Sequence, residues 1–192
     1  MCGQITIPDK PKLLRHYEAF DNHTPHLPTN RSYGPGNRIY VVGPDTTVGR
    51  DKPTVLGTAQ WGFQPETRTY YNARFETLTS RPLWRDSALH RRCIVPAATF
   101  AEGDHQVVTP HMLAFAAIWR KRPTGSFVVS VVTVAADEQL EHVHSRMPLI
   151  LTPKGVREWL NPSNDTRSAV HDIGERYRSH PSYRVLDGFA AA

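Results

Sequence analysis

The second residue of this 192-residue sequence is the one whose chemistry stands out. The chain starts Met1-Cys2-Gly3, and removal of Met1 ahead of a residue as small as Cys is expected to leave a free α-amine beside the Cys2 thiol. The amine titrates at about 7.7–8.0 and the thiol at about 8.5, so a minority of each is deprotonated at neutral pH. Toward an amide, Cys2 would be an N-terminal nucleophile whose own amine acts as base. Toward an aldehyde, the amine condenses to an imine and the thiol then closes a thiazolidine ring.

Three further clusters could serve such a nucleophile. In Tyr70-Tyr71-Asn72-Ala73-Arg74-Phe75-Glu76-Thr77, an extended chain would project Asn72, Arg74 and Glu76 to one side. That face could hold a phosphodiester or a sugar, or simply meet solvent. Phe100-Ala101-Glu102-Gly103 follows an apolar strand, where a carboxylate could be desolvated and its pKa raised toward that of a proton shuttle. In His144-Ser145-Arg146-Met147-Pro148, an imidazole suits acid–base work at neutral pH, and Arg146 would share its side of an extended chain. Trp61-Gly62-Phe63 adds aromatic surface, either core or a platform for stacked bases. Cys93, in the apolar run Arg92-Cys93-Ile94-Val95, reads as inert packing.

Positioning these residues falls to a set of short elements. Leu13, Leu14, Tyr17 and Phe20 recur at helical spacing within residues 10–20. The Pro-, Asn-, His- and Gly-rich stretch 21–37 reads as a loop. Strands are expected at 38–42, 54–61, 92–96, 112–119 and 126–134, the last with clean alternation. Ser80 before Arg81-Pro82 reads as a cap opening a helix to about residue 90. Two more short helices are expected at 137–143 and 153–160. The irregular order of strands and helices predicts an α+β fold: one domain over residues 1–192, with a largely antiparallel, barrel-like core and short flanking helices. The polar stretch from 161 is expected to fray over 187–192.

Composition narrows the partner. The 23 basic residues, 18 Arg and 5 Lys, outnumber 18 acidic ones, for a formal charge of +5 and a pI near 9.4. Arg offers a planar set of donors matched to phosphate oxygens, so the excess points to nucleic acid or to codon usage that favours Arg everywhere. Two Cys and ten scattered His residues lack metal-ligand spacing, so no metal and no cofactor are expected. No apolar run approaches the roughly 20 residues of a membrane span, and nothing reads as a secretion signal. The expected address is cytoplasmic, nucleoid-associated when DNA is bound, and a monomer is expected.

Taken together and in this order, Met1-Cys2-Gly3, Trp61-Gly62-Phe63, Asn72-Ala73-Arg74-Phe75-Glu76-Thr77, Arg91-Arg92-Cys93-Ile94-Val95-Pro96, Phe100-Ala101-Glu102 and His144-Ser145-Arg146-Met147-Pro148 resemble the SRAP family. These are the SOS-response-associated peptidases, which process abasic sites in DNA. The resemblance is clearest over residues 2–160. It implies an α+β fold with a barrel-like core and a basic groove for single-stranded DNA containing abasic sites. Cys2 resembles the catalytic residue, which crosslinks to the aldehyde of the ring-opened sugar. Asn72, Glu102 and His144 match the other active-site positions, Arg74 and Arg146 the phosphate-contacting arginines, and Thr133 a polar position lining the site. The chain departs from the pattern at Gln4, where the family usually has Arg. It departs again at Ala101 and Gly103, where aromatics usually flank the glutamate.

Two readings from other classes compete. Glutamine amidotransferases of the N-terminal-nucleophile type also begin Met-Cys-Gly, but they carry an Asn-Gly pair for the oxyanion hole, and this sequence contains no Asn-Gly. A non-catalytic single-strand-binding module would rest on the Arg excess and Trp61 alone.

Overall fold

The strand with the cleanest sequence pattern turns out to be the beam on which the others are hung. The computed structural model describes residues 3–29, 31–45, 53–64, 68–178 and 184–186. In chain order its elements are β1 (Gln4–Thr6), α1 (Lys10–His16), β2 (Ala19–Asp21), β3 (Ser32–Tyr33), β4 (Arg38–Pro44), β5 (Thr54–Trp61) and β6 (Asn72–Arg74). After a 3-10 turn at Phe75–Thr77 come α2 (Pro82–His90), β7 (Arg92–Glu102), β8 (His105–Lys121) and β9 (Phe127–Ala135). The last are β10 (Arg146–Pro148), α3 (Pro153–Leu160), α4 (Arg167–Tyr177) and β11 (Arg184–Leu186).

Strands β4, β5, β9, β8 and β7 pair in that order, and the pairing of β7 with β4 at Val42↔Ile94 closes them into a ring of five. Closure removes the free edges that an open sheet of this length would expose. The fold is therefore the expected mixed α+β one with a barrel at its centre. β9 is buried from Val128 to Val134, on both faces rather than one, which is why it is apolar throughout except at Ser130 and Thr133. Along one edge β9 takes β5 at Gln60↔Val128 and then β6 at Asn72↔Val131, both parallel. Along the other it takes β8 at Ala117↔Val131 and then β10 at Pro148↔Thr133, both antiparallel. Met147, Leu149 and Ile150 are buried and pin β10 in that wedge.

Several boundaries differ from expectation for identifiable reasons. β7 and β8 run far beyond the barrel as a hairpin, past a register shift between Ala97 and Thr99. Their outer halves pair with β1 and β11, so mixed polar residues there are held by neighbours rather than by an apolar face. The stretch 21–37 holds the end of β2 and all of β3. Residues 137–143 form successive turns, closed by bonds such as Leu140 N–H to Asp137 O at 3.0 Å, and not a helix. The cap of α2 is Arg81, without a side-chain bond, and not Ser80. The polar stretch after 161 contains α4, whose Val170, Ile173, Gly174 and Tyr177 are buried at helical spacing. The expected frayed tail, 187–192, lies outside the described residues. Among the described residues no helix is long and apolar enough to cross a membrane.

The helices are fastened by one buried charge. Arg92, 4% exposed, donates to Ala88 O and Leu89 O at the end of α2. It also donates to Trp159 O at 2.6 Å and Asn161 O at 2.7 Å at the end of α3. One guanidinium thus satisfies carbonyls that two helix C-termini leave without intrahelical partners.

Candidate active site

Strand direction brings the distant motifs to one mouth of the barrel. β6 and β7 run with β9, so Arg74 and Glu102 lie toward the end where β9 finishes at Ala135. β10 and β1 run the opposite way, so Arg146 and Gln4 start there. The rings of His105 and His142 meet edge-to-face at 5.9 Å, joining the Glu102 hairpin to the turn that carries His144.

On the β6 side, Asn72 is half-buried and Arg74 exposed, on the face opposite buried Ala73. The extended conformation stops there. Phe75–Thr77 turns as a 3-10 helix, so Glu76 does not continue the Asn72–Arg74 face as a strand would. It reaches across to Arg146, whose Nη2 donates to Glu76 Oε2 at 2.9 Å and whose Nη1 donates to Oε1. Phe75 anchors this turn by packing against α4 at Gly174, where a Cβ would fall 2.0 Å from its ring. Burial works to raise the Glu76 pKa. Hydrogen bonds from Arg146 and its own backbone, with the charges of Arg146 and Arg74, outweigh this and hold it below its ordinary value.

On the β10 side, His144 N–H donates to Leu140 O at 3.0 Å, ending the turns. His144 Nδ1 accepts the Arg146 backbone N–H at 2.9 Å. Nδ1 also lies 3.3 Å from Arg146 O; with the shorter contact as the bond, the neutral ring carries its proton on Nε2. On the β1 side, Gly3 N–H donates to Ala101 O at 3.4 Å, setting Gly3 beside the last residues of β7. Cys2 itself lies outside the described residues. Gly103 has φ +60° in the two-residue turn between the paired Glu102 and His105. That conformation favours glycine. Asn72 Oδ1 and Gln4 Oε1 are both buried and have no hydrogen-bond partner among the described residues. Two desolvated carbonyl oxygens without donors are costly unless something else fills them.

Two expected contacts with DNA are corrected. Trp61 is fully buried, its Nε1–H donating to Tyr71 O at 3.0 Å; a core indole has no face to offer a base. Thr133 is also fully buried, and its backbone oxygen and Oγ1 accept from Arg146 Nη2, so it meets the arginine and not solvent. The exposed aromatic beside Asn72 is Tyr71, 39% exposed. Its ring lies against Gly62, where a Cβ would come within 3.0 Å. Sequence reasoning missed Tyr71, His105 and His142. Their only signal was proximity to the motifs, since the contacts depend on strand pairing. Among the described residues no group of three His, Cys, Asp or Glu side chains gathers as a metal site.

Residues 1–187 match the family described as SOS response associated peptidase (SRAP). The abasic site processing protein YoqW of Bacillus subtilis (strain 168) is 29% identical over 201 residues, spanning 92% of this chain and 88% of its own. The abasic site processing protein YedK of Escherichia coli (strain K12) is 31% identical over 189 residues, spanning 83% of this chain and 79% of its own. Among solved structures, a protein from Bacteroides thetaiotaomicron superposes with a TM-score of 0.78 at 17% identity, over 97% of this chain and 91% of that one. A phage-related protein from Bordetella bronchiseptica superposes with a TM-score of 0.74 at 20% identity, over 97% and 93%.

Proposed function

Because this chain belongs to the SOS response associated peptidase (SRAP) family, we propose that it processes abasic sites in single-stranded DNA by forming a covalent adduct through Cys2. The observation that carries the reading is the shared barrel mouth. Strand directions deliver Asn72, Glu102 and His144 to the end where Gly3 is bonded to Ala101.

The chemistry follows from an aminothiol meeting a masked aldehyde. With Met1 removed, Cys2 presents its amine and thiol at the mouth. As the imidazolium, His144 gives its Nε2 proton to the ring oxygen of the abasic sugar as the C1′–O bond breaks, and the proton leaving the C1′ hydroxyl as the aldehyde forms restores it. The Cys2 amine adds to C1′, and loss of water from the carbinolamine leaves an imine. The thiol then adds to the imine carbon, its proton passing to nitrogen, and the thiazolidine is complete; the balance is one aldehyde plus one aminothiol giving the ring and one water. Glu102 shuttles protons during addition and dehydration, a role that typically contributes about 10²–10⁴-fold. Asn72 Oδ1, buried without a donor, accepts from the Cys2 amine and aims its lone pair.

Arg74, exposed at the edge of the site, takes a backbone phosphate, a contact that positions the strand without reading sequence. Tyr71 is the aromatic available to stack on a neighbouring base.

One gel distinguishes this reading from its rivals. A band that survives denaturation with an abasic oligonucleotide, but not with intact DNA, supports the adduct. Glutamine hydrolysis without such a band would assign the chain to amide chemistry, and salt-reversible binding alone would leave a non-covalent module.

A further inference from the structure

A second concavity uses none of the residues gathered at the barrel mouth. It is a cavity of about 840 Å³ bounded by the end of α1, the ends of β4 and β5, the part of β8 between Thr109 and Ala114, and α3. Neither Asn72, Arg74, Glu102, His144 nor Arg146 lines it. Folded interiors leave few voids larger than a water molecule, and this volume falls within the roughly 300–1,000 Å³ of small-molecule sites. Its walls are mostly apolar. Leu113, Ile150, Leu151 and Leu160 are buried, and Met112 and Val156 pack on the core beside them.

One polar group on these walls has nothing to bond. Tyr17 is 9% exposed, and its hydroxyl is buried with no hydrogen-bond partner among the described residues. The residue itself is firmly held. Its N–H donates to Leu13 O at 3.0 Å, its carbonyl accepts from Thr54 Oγ1 at 2.7 Å, and its ring meets the His16 ring edge-on at 4.6 Å. Other buried tyrosines place their hydroxyls: Tyr33 donates to Pro28 O at 2.7 Å, and Tyr40 accepts the Leu27 N–H at 2.8 Å. Tyr177 also lacks a partner, but it does not line the cavity. A buried hydroxyl left unpaired costs stability. Burial raises the Tyr17 pKa, so at neutral pH the group keeps its proton and can donate.

We propose that this cavity is a binding site for a small, uncharged ring molecule whose one hydrogen-bonding oxygen pairs with the Tyr17 hydroxyl. The apolar walls call for an apolar body. A cavity of about 150 Å³ already holds benzene, so this one has room for fused rings. Among the described residues no charged side chain is buried on these walls, and a charged group inside would go uncompensated. Glu18, His111 and Arg157, which also line the cavity, are exposed. The site is independent of the chemistry proposed for Cys2.

The test uses 2-naphthol, a pair of fused rings with one hydroxyl, as the probe. It is titrated into the full chain while methyl carbon–proton NMR follows Met112, Leu113, Ile150 and Val156. The wild type should show saturable shifts at these methyls. Tyr17→Phe keeps the ring and removes the hydroxyl, so it should weaken binding by roughly 2- to 10-fold, the worth of one hydrogen bond. Val156→Trp should fill the cavity and abolish the shifts; Met112→Trp serves the same end from β8 if circular dichroism shows Val156→Trp unfolded. Without probe, Tyr17→Phe should unfold at the same urea concentration as the wild type or a higher one, because its hydroxyl has no partner to lose. No saturable shift at these methyls up to the solubility of the probe would overturn the proposal. So would equal affinity in Tyr17→Phe, or binding undiminished by the cavity-filling variant. A lower urea midpoint for Tyr17→Phe would overturn it too, because the hydroxyl would then already be paired within the chain.

Discussion

Arg74 and Arg146 occupy equivalent places in two short motifs, the first exposed and the second bonded to Glu76 and to the Thr133 backbone oxygen. Arg74→Ala should lower the salt slope of single-strand binding by about 0.7, measured by titrations at several ionic strengths. Arg146→Ala should weaken binding as well, and because it leaves Glu76 and the Thr133 backbone oxygen without their partner, it should also lower the midpoint of a urea melt. The pH dependence of stability belongs to the same ion pair. Glu76 titrates lower in the folded chain than the roughly 4.3 of a free side chain, so it binds fewer protons folded than unfolded. Its contribution is present in full above that value and is lost as pH falls through the lower, folded one. Asp21, held down by Lys10 against burial, and Asp86, held down by Arg91, act in the same direction. Urea midpoints should therefore fall on the acid side, below about pH 4, and Glu76→Gln should flatten part of that fall. Cys93 is the opposite kind of residue from Cys2. Complete burial raises its thiol pKa, so thiol reagents should leave it unmodified until the chain is unfolded.

At the scale of elements, the sites where helices meet the barrel are the ones to break. Arg92→Met would strand the four carbonyls that Arg92 now satisfies. Each buried unsatisfied group costs about 1–3 kcal/mol, so the expected loss in a urea melt is about 3 kcal/mol or more. Gly174→Ala should cost about 1–3 kcal/mol, the usual penalty of overpacking, because the new methyl enters the Phe75 ring. Phe75 stands between Arg74 and Glu76, so this change should also slow the proposed crosslinking. What the sequence revealed at this scale tracks its punctuation. β5 and α3 match their expected spans because Pro53, Gly62 and the Thr152-Pro153 cap mark their ends. α4 was missed because only four of its positions are buried in a charged sequence, and the expected helix at 137–143 failed because local backbone bonds close it as turns.

For the molecule as a whole, the barrel is what turns separate motifs into one site. Asn72, Glu102 and His144 were legible as candidates from residue type and from family resemblance. The Glu76–Arg146 pair was not, because nothing local links residues 70 apart and only the register of β6 and β10 on β9 brings them together. Trp61 misled for the complementary reason: a large aromatic beside a glycine suits a core as well as a platform, and closure of the barrel buried it. The basic excess is likewise a property of the whole surface, and at +5 it favours encounter with a polyanion at low salt without specifying the reaction. The proposed reaction rests on Cys2. The most direct measurement is the intact mass of the protein after incubation with an abasic single-stranded oligonucleotide, for wild type and Cys2→Ser. The account predicts a wild-type species lacking Met1 whose mass is the sum of protein and oligonucleotide less one water, stable to denaturation, with the oligonucleotide mapped to Cys2. It predicts no such stable species for Cys2→Ser, although that variant should still bind DNA. An equally stable adduct from Cys2→Ser, or a wild-type adduct mapped to any other residue, would contradict it.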